Sequence, residues 1–234
     1  MDFLELILIL FFLLIFSIFS FKKNLLSFEG ILIANAVGLA AITYGPGETT
    51  MLRFFAVVAF FIIGEIASNY PTKKHEKRGI WNVVGNSLPA LFVLSLIIIY
   101  PEHSLILELG FFGAISAALA DTLSSEIGYY SKRKPILITT LKKVSRGVDG
   151  GVTLLGFIAA FFGSIIISLI YFSFYQNFFL MLIIIFAGLI GTIVDSLFGA
   201  VFETKKVLNN THVNLIGCSS GALFALLFGI ILLV

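Results

Sequence analysis

From Phe178 to Gly191 the chain reads FFLMLIIIFAGLIG, fourteen residues without a charge and without alternation of polar and apolar positions. A membrane-spanning strand is shorter and alternates, so an all-round apolar run of this kind predicts a helix in hydrocarbon. Eight such stretches, at about 3–20, 28–44, 49–68, 84–100, 104–120, 151–171, 177–199 and 213–234, predict an all-α, polytopic transmembrane bundle of about eight spans in one integral membrane domain, residues 1–234. With 59% hydrophobic residues, 12% charged residues and a mean hydropathy of +1.08, 234 residues are too few to enclose this much apolar surface in water. The N-terminus lacks a basic flank and a small-residue cleavage site, so residues 3–20 read as a retained span. Cys218 is the one cysteine and reads as a small buried hydrophobe.

The basic residues give an orientation. Lys22 and Lys23, then Lys73, Lys74, Lys77 and Arg78, then Lys132, Arg133, Lys134, Lys142, Lys143 and Arg146, then Lys205 and Lys206 fall in alternate loops. These are 14 of the 15 basic residues, and the remaining one, Arg53, sits just inside the outer end of its span. Basic residues in short loops collect on the cytoplasmic side, so both termini are expected outside and the basic loops inside. The net charge of +2 follows from this topology and implies no nucleic-acid partner.

Acidic residues gather toward the same end. Glu65, Asp121, Glu126, Asp149 and Asp195 lie where the spans reach the inner surface, whereas Glu108 lies near an outer end. Carboxylates beside hydrocarbon are costly unless paired, hydrated or metal-bound, so their convergence points to a site. In Ala120-Asp-Thr-Leu-Ser-Ser-Glu-Ile-Gly128, Asp121 and Ser125 are four apart and share a helix face, and Asp121 and Glu126 offer oxygen ligands to a hard cation such as Mg²⁺. Asp195-Ser-Leu repeats Asp121-Thr-Leu at the end of another inward-running span. The two segments read as copies of one helix pair in parallel orientation, which places both aspartates side by side.

Between them, Lys142, Arg146 and the glycines up to Gly150 and Gly151 read as a phosphate cradle or, alternatively, as an ordinary basic loop. No GxxxxGK[ST] occurs, so this is not a P-loop. Asn82 and Asn86, four apart, point the same way and can bind a nucleotide edge, a phosphate or a neighbouring helix. Asn69 and Lys73 to Arg78 precede them, and Asn209, Asn210 and Asn214 add polar density in the last basic loop, where helix capping is the simplest account.

Taken in order, Asn82-Val-Val-Gly85-Asn86, the ADTLSSEIG block at 120–128, Pro135-Ile-Leu-Ile-Thr139, Gly150-Gly-Val-Thr-Leu-Leu-Gly156, Asp195-Ser-Leu-Phe-Gly-Ala200 and Asn209-Asn-Thr-His-Val-Asn214 resemble the integral membrane family that includes plant phytyl-phosphate kinase. The resemblance runs from about residue 65 to the C-terminus and implies a kinase. In it CTP or another nucleoside triphosphate phosphorylates phytyl or geranylgeranyl monophosphate at the bilayer surface. It implies catalytic and Mg²⁺-binding roles for Asp121, Glu126 and Asp195. It also implies a phosphate-binding glycine loop at Gly150 and Gly151, and beside it the chemistry of Asn82, Asn86, Lys142, Arg146 and Asn214 makes them the expected contacts to the nucleotide donor. The chain departs from the family pattern at Ser87, where glycine is usual, and at Val148, where a hydroxyl residue is usual. Cytidylyl transfer onto a lipid phosphate and secondary transport are the competing readings.

Overall fold

The computed structural model describes residues 3–68 and 79–233, so Asn69 and the basic run from Lys73 to Arg78 lie outside the described residues. The chain is an all-α transmembrane bundle. Its helices are α1 (Phe3–Lys23), α2 (Phe28–Thr43), α3 (Thr50–Ser68), α4 (Ile80–Ile99), α5 (Ser104–Gly128), α6 (Leu154–Tyr175), α7 (Phe178–Phe198) and α8 (Asn210–Leu233). Seven are long and apolar enough to cross a bilayer, while α2, at 16 residues, is shorter. A small antiparallel hairpin, β1 (Ile136–Leu137) and β2 (Gly151–Val152), sits between α5 and α6.

α5 is the axis of the bundle and packs against α3, α4, α6, α7 and α8. It is buried continuously from Leu107 to Ala120, which accounts for its Gly, Ala and Ser content. Helices in hydrocarbon gain nothing by excluding lipid and must instead approach closely. A methyl group on Gly113 would fall 2.6 Å from Ala225 Cβ and 2.7 Å from the Gly221 carbonyl oxygen. On Gly191 it would strike Ala117, and the Gly217 carbonyl oxygen would be 2.9 Å away. These contacts draw α5, α7 and α8 together. By contrast α1 turns Leu4, Leu8, Phe11 and Leu14 outward along its length, as a helix facing lipid does.

Several spans extend past the expected limits. α5 runs to Gly128 instead of ending near 120, so Asp121 and Glu126 stand on its last two turns and not beyond it. α4 starts at Ile80 and α8 at Asn210, so Asn82, Asn86 and Asn214 are helical. α6 starts later than expected: Thr153 caps it by accepting from the Gly156 N–H at 3.0 Å, which leaves Gly150 and Gly151 outside the helix. The polar helix ends stay helical because they border a polar cavity instead of lipid.

At the opposite end of the bundle, the Arg53 guanidinium is wholly buried and paired with Glu108. Its Nε donates to the Ala41 carbonyl at 2.9 Å, and Nη2 donates to the Pro46 carbonyl at 3.1 Å. Glu108 also accepts from Thr49 and from Tyr175 Oη, the latter at 2.5 Å. Through these bonds one ion pair joins α2, α3, α5 and α6.

Candidate functional site

The ends of α4, α5, α7 and α8 on the basic side of the bundle, together with the 135–153 loop, enclose a cavity of about 440 Å³. Nine of the ten residues expected at the site border it: Asp121, Glu126, Asp195, Asn82, Asn86, Arg146, Gly150, Gly151 and Asn214. Lys142 does not. It is exposed on the hairpin, where the chain turns through Leu141 at φ 57° and the Lys142 carbonyl accepts from the Leu137 N–H.

The parallel course of α5 and α7 brings the Asp121 and Asp195 carboxyl groups next to each other in the cavity wall. Two ionised carboxyl groups side by side repel each other, and a divalent cation is a species that can bind both. The close crossing of α7 and α8 supports this arrangement. A methyl on Gly217 would lie 3.0 Å from Asp195 Cβ, so glycine there leaves the carboxylate its place. With its amide turned to suit its neighbours, Asn214 donates to Asp195 Oδ2 and to the Asn210 carbonyl, both at 3.2 Å. Asn214 is therefore not a helix cap: α8 begins four residues earlier, and its side chain orients the aspartate. The capping falls to Asn209, whose Oδ1 accepts from the His212 N–H at 3.1 Å. Glu126 accepts from Ser68 Oγ at 3.4 Å.

Asp149 and Glu203 border the same cavity, giving five carboxylates. The cation in its wall, among the described residues, is Arg146, whose Nη2 donates to the Ser131 carbonyl at 2.6 Å. Thr122, Ser124, Ser125, Thr153 and Ser196 add hydroxyl groups. Glu203 carries no sequence signal, because a π-helical turn at Gly199–Glu203 swings it inward and nothing in the residue pattern marks that turn. Among the described residues no three His, Cys, Asp or Glu side chains form a metal cage. Mg²⁺ ordinarily takes one or two carboxylates and completes its shell with phosphate and water, so Asp121 and Asp195 are a donor set of the right kind.

The glycines do something other than expected. Gly151 N–H donates to the Val148 carbonyl at 2.9 Å, so it is already used inside the loop. Gly150 sits at φ 74° against α7, where an added methyl would strike Ala200 and lie 2.6 Å from the Ser196 carbonyl oxygen. This contact docks the loop that carries Asp149 and Arg146 onto the end of α7. Gly150→Ala is expected to lift the loop at a cost of about 1–3 kcal/mol. In detergent, trypsin should then cut at Lys142, Lys143 or Arg146 about tenfold faster, whereas unchanged cleavage would mean that the contact does not hold the loop.

Fold and site together define a polytopic α-helical membrane protein with an acidic, hydroxyl-rich cavity at the basic end of its bundle. The chain belongs to the family described as Integral membrane protein DUF92, which matches residues 11–232. This is the family that its motifs resemble. It is similar to an uncharacterized membrane protein of Methanocaldococcus jannaschii, 33% identical over 214 residues that cover 88% of this chain and 87% of that one. An uncharacterized membrane protein of Synechocystis is 30% identical over 186 residues, 74% of this chain and 72% of that one. Protein VTE6, chloroplastic, of Arabidopsis thaliana is 30% identical over 198 residues, 74% of this chain and 57% of the plant protein. No solved structure matches.

Proposed function

We propose that the protein is a membrane-bound lipid-phosphate kinase that transfers the γ-phosphoryl group of CTP, or of another nucleoside triphosphate, to phytyl or geranylgeranyl monophosphate. The observation that carries this reading is that Asp121 and Asp195 stand next to each other in the wall of a 440 Å³ cavity at one end of the bundle. Five carboxylates repel a triphosphate, so a nucleotide enters such a cavity only with divalent cations. Asp121 and Asp195 would hold Mg²⁺, with Glu126 beside them, and the ion would neutralise charge on the phosphates. The family's plant phytyl-phosphate kinase supports the choice of lipid.

In this reaction an oxygen of the lipid monophosphate attacks the γ-phosphorus, the bond from that phosphorus to the β–γ bridging oxygen breaks, and the nucleoside diphosphate leaves. A phosphate is already a nucleophile at neutral pH, so no base is required, and catalysis is alignment and charge compensation. Arg146 supplies positive charge at the loop side of the cavity, while Asn82 and Asn86 offer amides on the α4 side. Asn86 Nδ2 donates to the Asn82 carbonyl at 2.9 Å, which fixes its rotamer, and its Oδ1 accepts from Cys218 Sγ at 3.9 Å. Asn214 holds Asp195 in place. Transport has less support, because the small-residue contacts among Gly113, Ala117, Gly191 and Gly221 close the bundle directly above the site.

The test is to incubate purified protein with Mg²⁺, geranylgeranyl monophosphate and CTP labelled separately at the α and γ positions. γ-Label in an isoprenyl diphosphate is the expected result. α-Label in the lipid with release of pyrophosphate would establish cytidylyl transfer in its place, and no transfer from any nucleotide would reject both enzymes.

A further inference from the structure

We infer that the tail of the lipid substrate lies in a seam between α1 and α3 that runs from the acidic cavity to about half the depth of the membrane. This rests on the proposed lipid-phosphate substrate and adds where its hydrocarbon goes. Three voids follow one another and share walls. Asn82 and Asn86 border the acidic cavity on one side and a second void of about 20 Å³ on the other. Phe16 and Phe61 border this second void and a third, also about 20 Å³, which reaches Phe54 and Gly38. Along α3, the distance from Glu65 at the inner void to Phe54 at the far one is about 16 Å at 1.5 Å per residue, roughly half of a 30 Å hydrocarbon core.

The polarity of the walls falls along this path in the order a phosphorylated prenyl chain requires. Five carboxylates and the asparagine amides line the first cavity, Glu65 and the Ser20 hydroxyl stand among Phe and Leu side chains in the second, and the third is walled by aromatic and aliphatic side chains alone. Ser20 lines the middle void, is fully buried, and its Oγ has no partner among the described residues. A buried hydroxyl left without a partner is costly, and a phosphate-ester oxygen lying at the junction of head and tail would accept from it. Farther in, Phe16 and Phe61 lie 5.9 Å apart at 49°, and Phe12 packs edge-on against Phe54. Voids of this size do not hold a chain as they stand, so the tail must part the seam by turning these rings. α1 is the wall that can give, since it packs mainly on α2 and faces lipid along its other side. Gly38 marks the deep end: a methyl there would lie 3.1 Å from Leu13 Cδ2, so a larger side chain closes the third void.

The experiment uses the whole protein in nanodiscs and geranylgeranyl monophosphate carrying a diazirine at the tail end. After irradiation, mass spectrometry should find the label on α1 and α3 peptides around Phe12 to Phe16 and Phe54 to Phe61. Unlabelled geranylgeranyl monophosphate should compete it away, and a diacyl phospholipid should not. Gly38→Leu should shift the label toward Phe16 and raise KM for the long substrate about tenfold, with little change for geranyl monophosphate. Label scattered over the outer faces of α6 and α7, or displaced equally by phospholipid, would overturn the seam. Seam labelling without phosphoryl transfer would leave the tail path standing and reject the kinase, whereas transfer with label elsewhere would do the reverse.

Discussion

Asp195→Asn is expected to slow phosphoryl transfer by about 100- to 1,000-fold while leaving the protein folded. Asparagine keeps the shape of the side chain and can still pair with Asn214, but it removes the charge that binds a cation. Asp121→Asn should have a similar effect, because the proposed site sets the two neighbouring carboxyl groups on one cation. The double variant should therefore fall within a few-fold of either single one, since groups that work as a unit do not lose activity additively. Steady-state kinetics with a melting curve for each variant make the check. Independent, multiplying losses would mean that the two residues serve separate steps.

The second large effect lies at the other end of the bundle and concerns stability. Glu108→Ala leaves the Arg53 guanidinium buried without its counter-charge, at a cost of about 3–5 kcal/mol. A typical fold has only about 5–15 kcal/mol in hand, so most of the variant should fail to yield monodisperse protein after extraction. Arg53→Leu combined with Glu108→Leu removes both charges and should recover much of the folded yield, with Tyr175 and Thr49 left short of a partner. Size-exclusion profiles and melting temperatures compare the three. A Glu108→Ala protein as stable as its parent would show that the pair contributes little. Because this pair is far from the acidic cavity, the recovered double variant should also keep its activity.

The bundle was legible because hydropathy over twenty residues is a one-dimensional signal. The site was legible in large part for a related reason: alternating spans force Asp121 and Asp195 to the same end, and the shared Asp-Thr-Leu and Asp-Ser-Leu endings put them on parallel helices. What stayed hidden depends on local backbone geometry or on pairing at long range. The π turn that brings in Glu203 leaves no pattern, and the role of Gly150 requires knowing that Ala200 lies against it. Arg53 and Glu108 each stood out as charges near an outer end, yet they are 55 positions apart and only the packing of α3 on α5 joins them. Lys142 belonged to the right loop on the wrong side of it, a distinction set by the turn at Leu141. Asn214 resembled a cap because helix starts are hard to place to within a turn.

The central claim is that Asp121 and Asp195 bind a metal–nucleotide complex in the inner cavity. Electron paramagnetic resonance of Mn²⁺, used in place of Mg²⁺ with CTP and purified protein, tests it most directly. The account predicts a bound Mn²⁺ signal that shows coupling to the phosphorus nuclei of the nucleotide and disappears in Asp121→Asn and Asp195→Asn proteins of unchanged fold. Equal Mn²⁺ binding in the parent and both variants, or a bound ion with no phosphorus coupling, would contradict it.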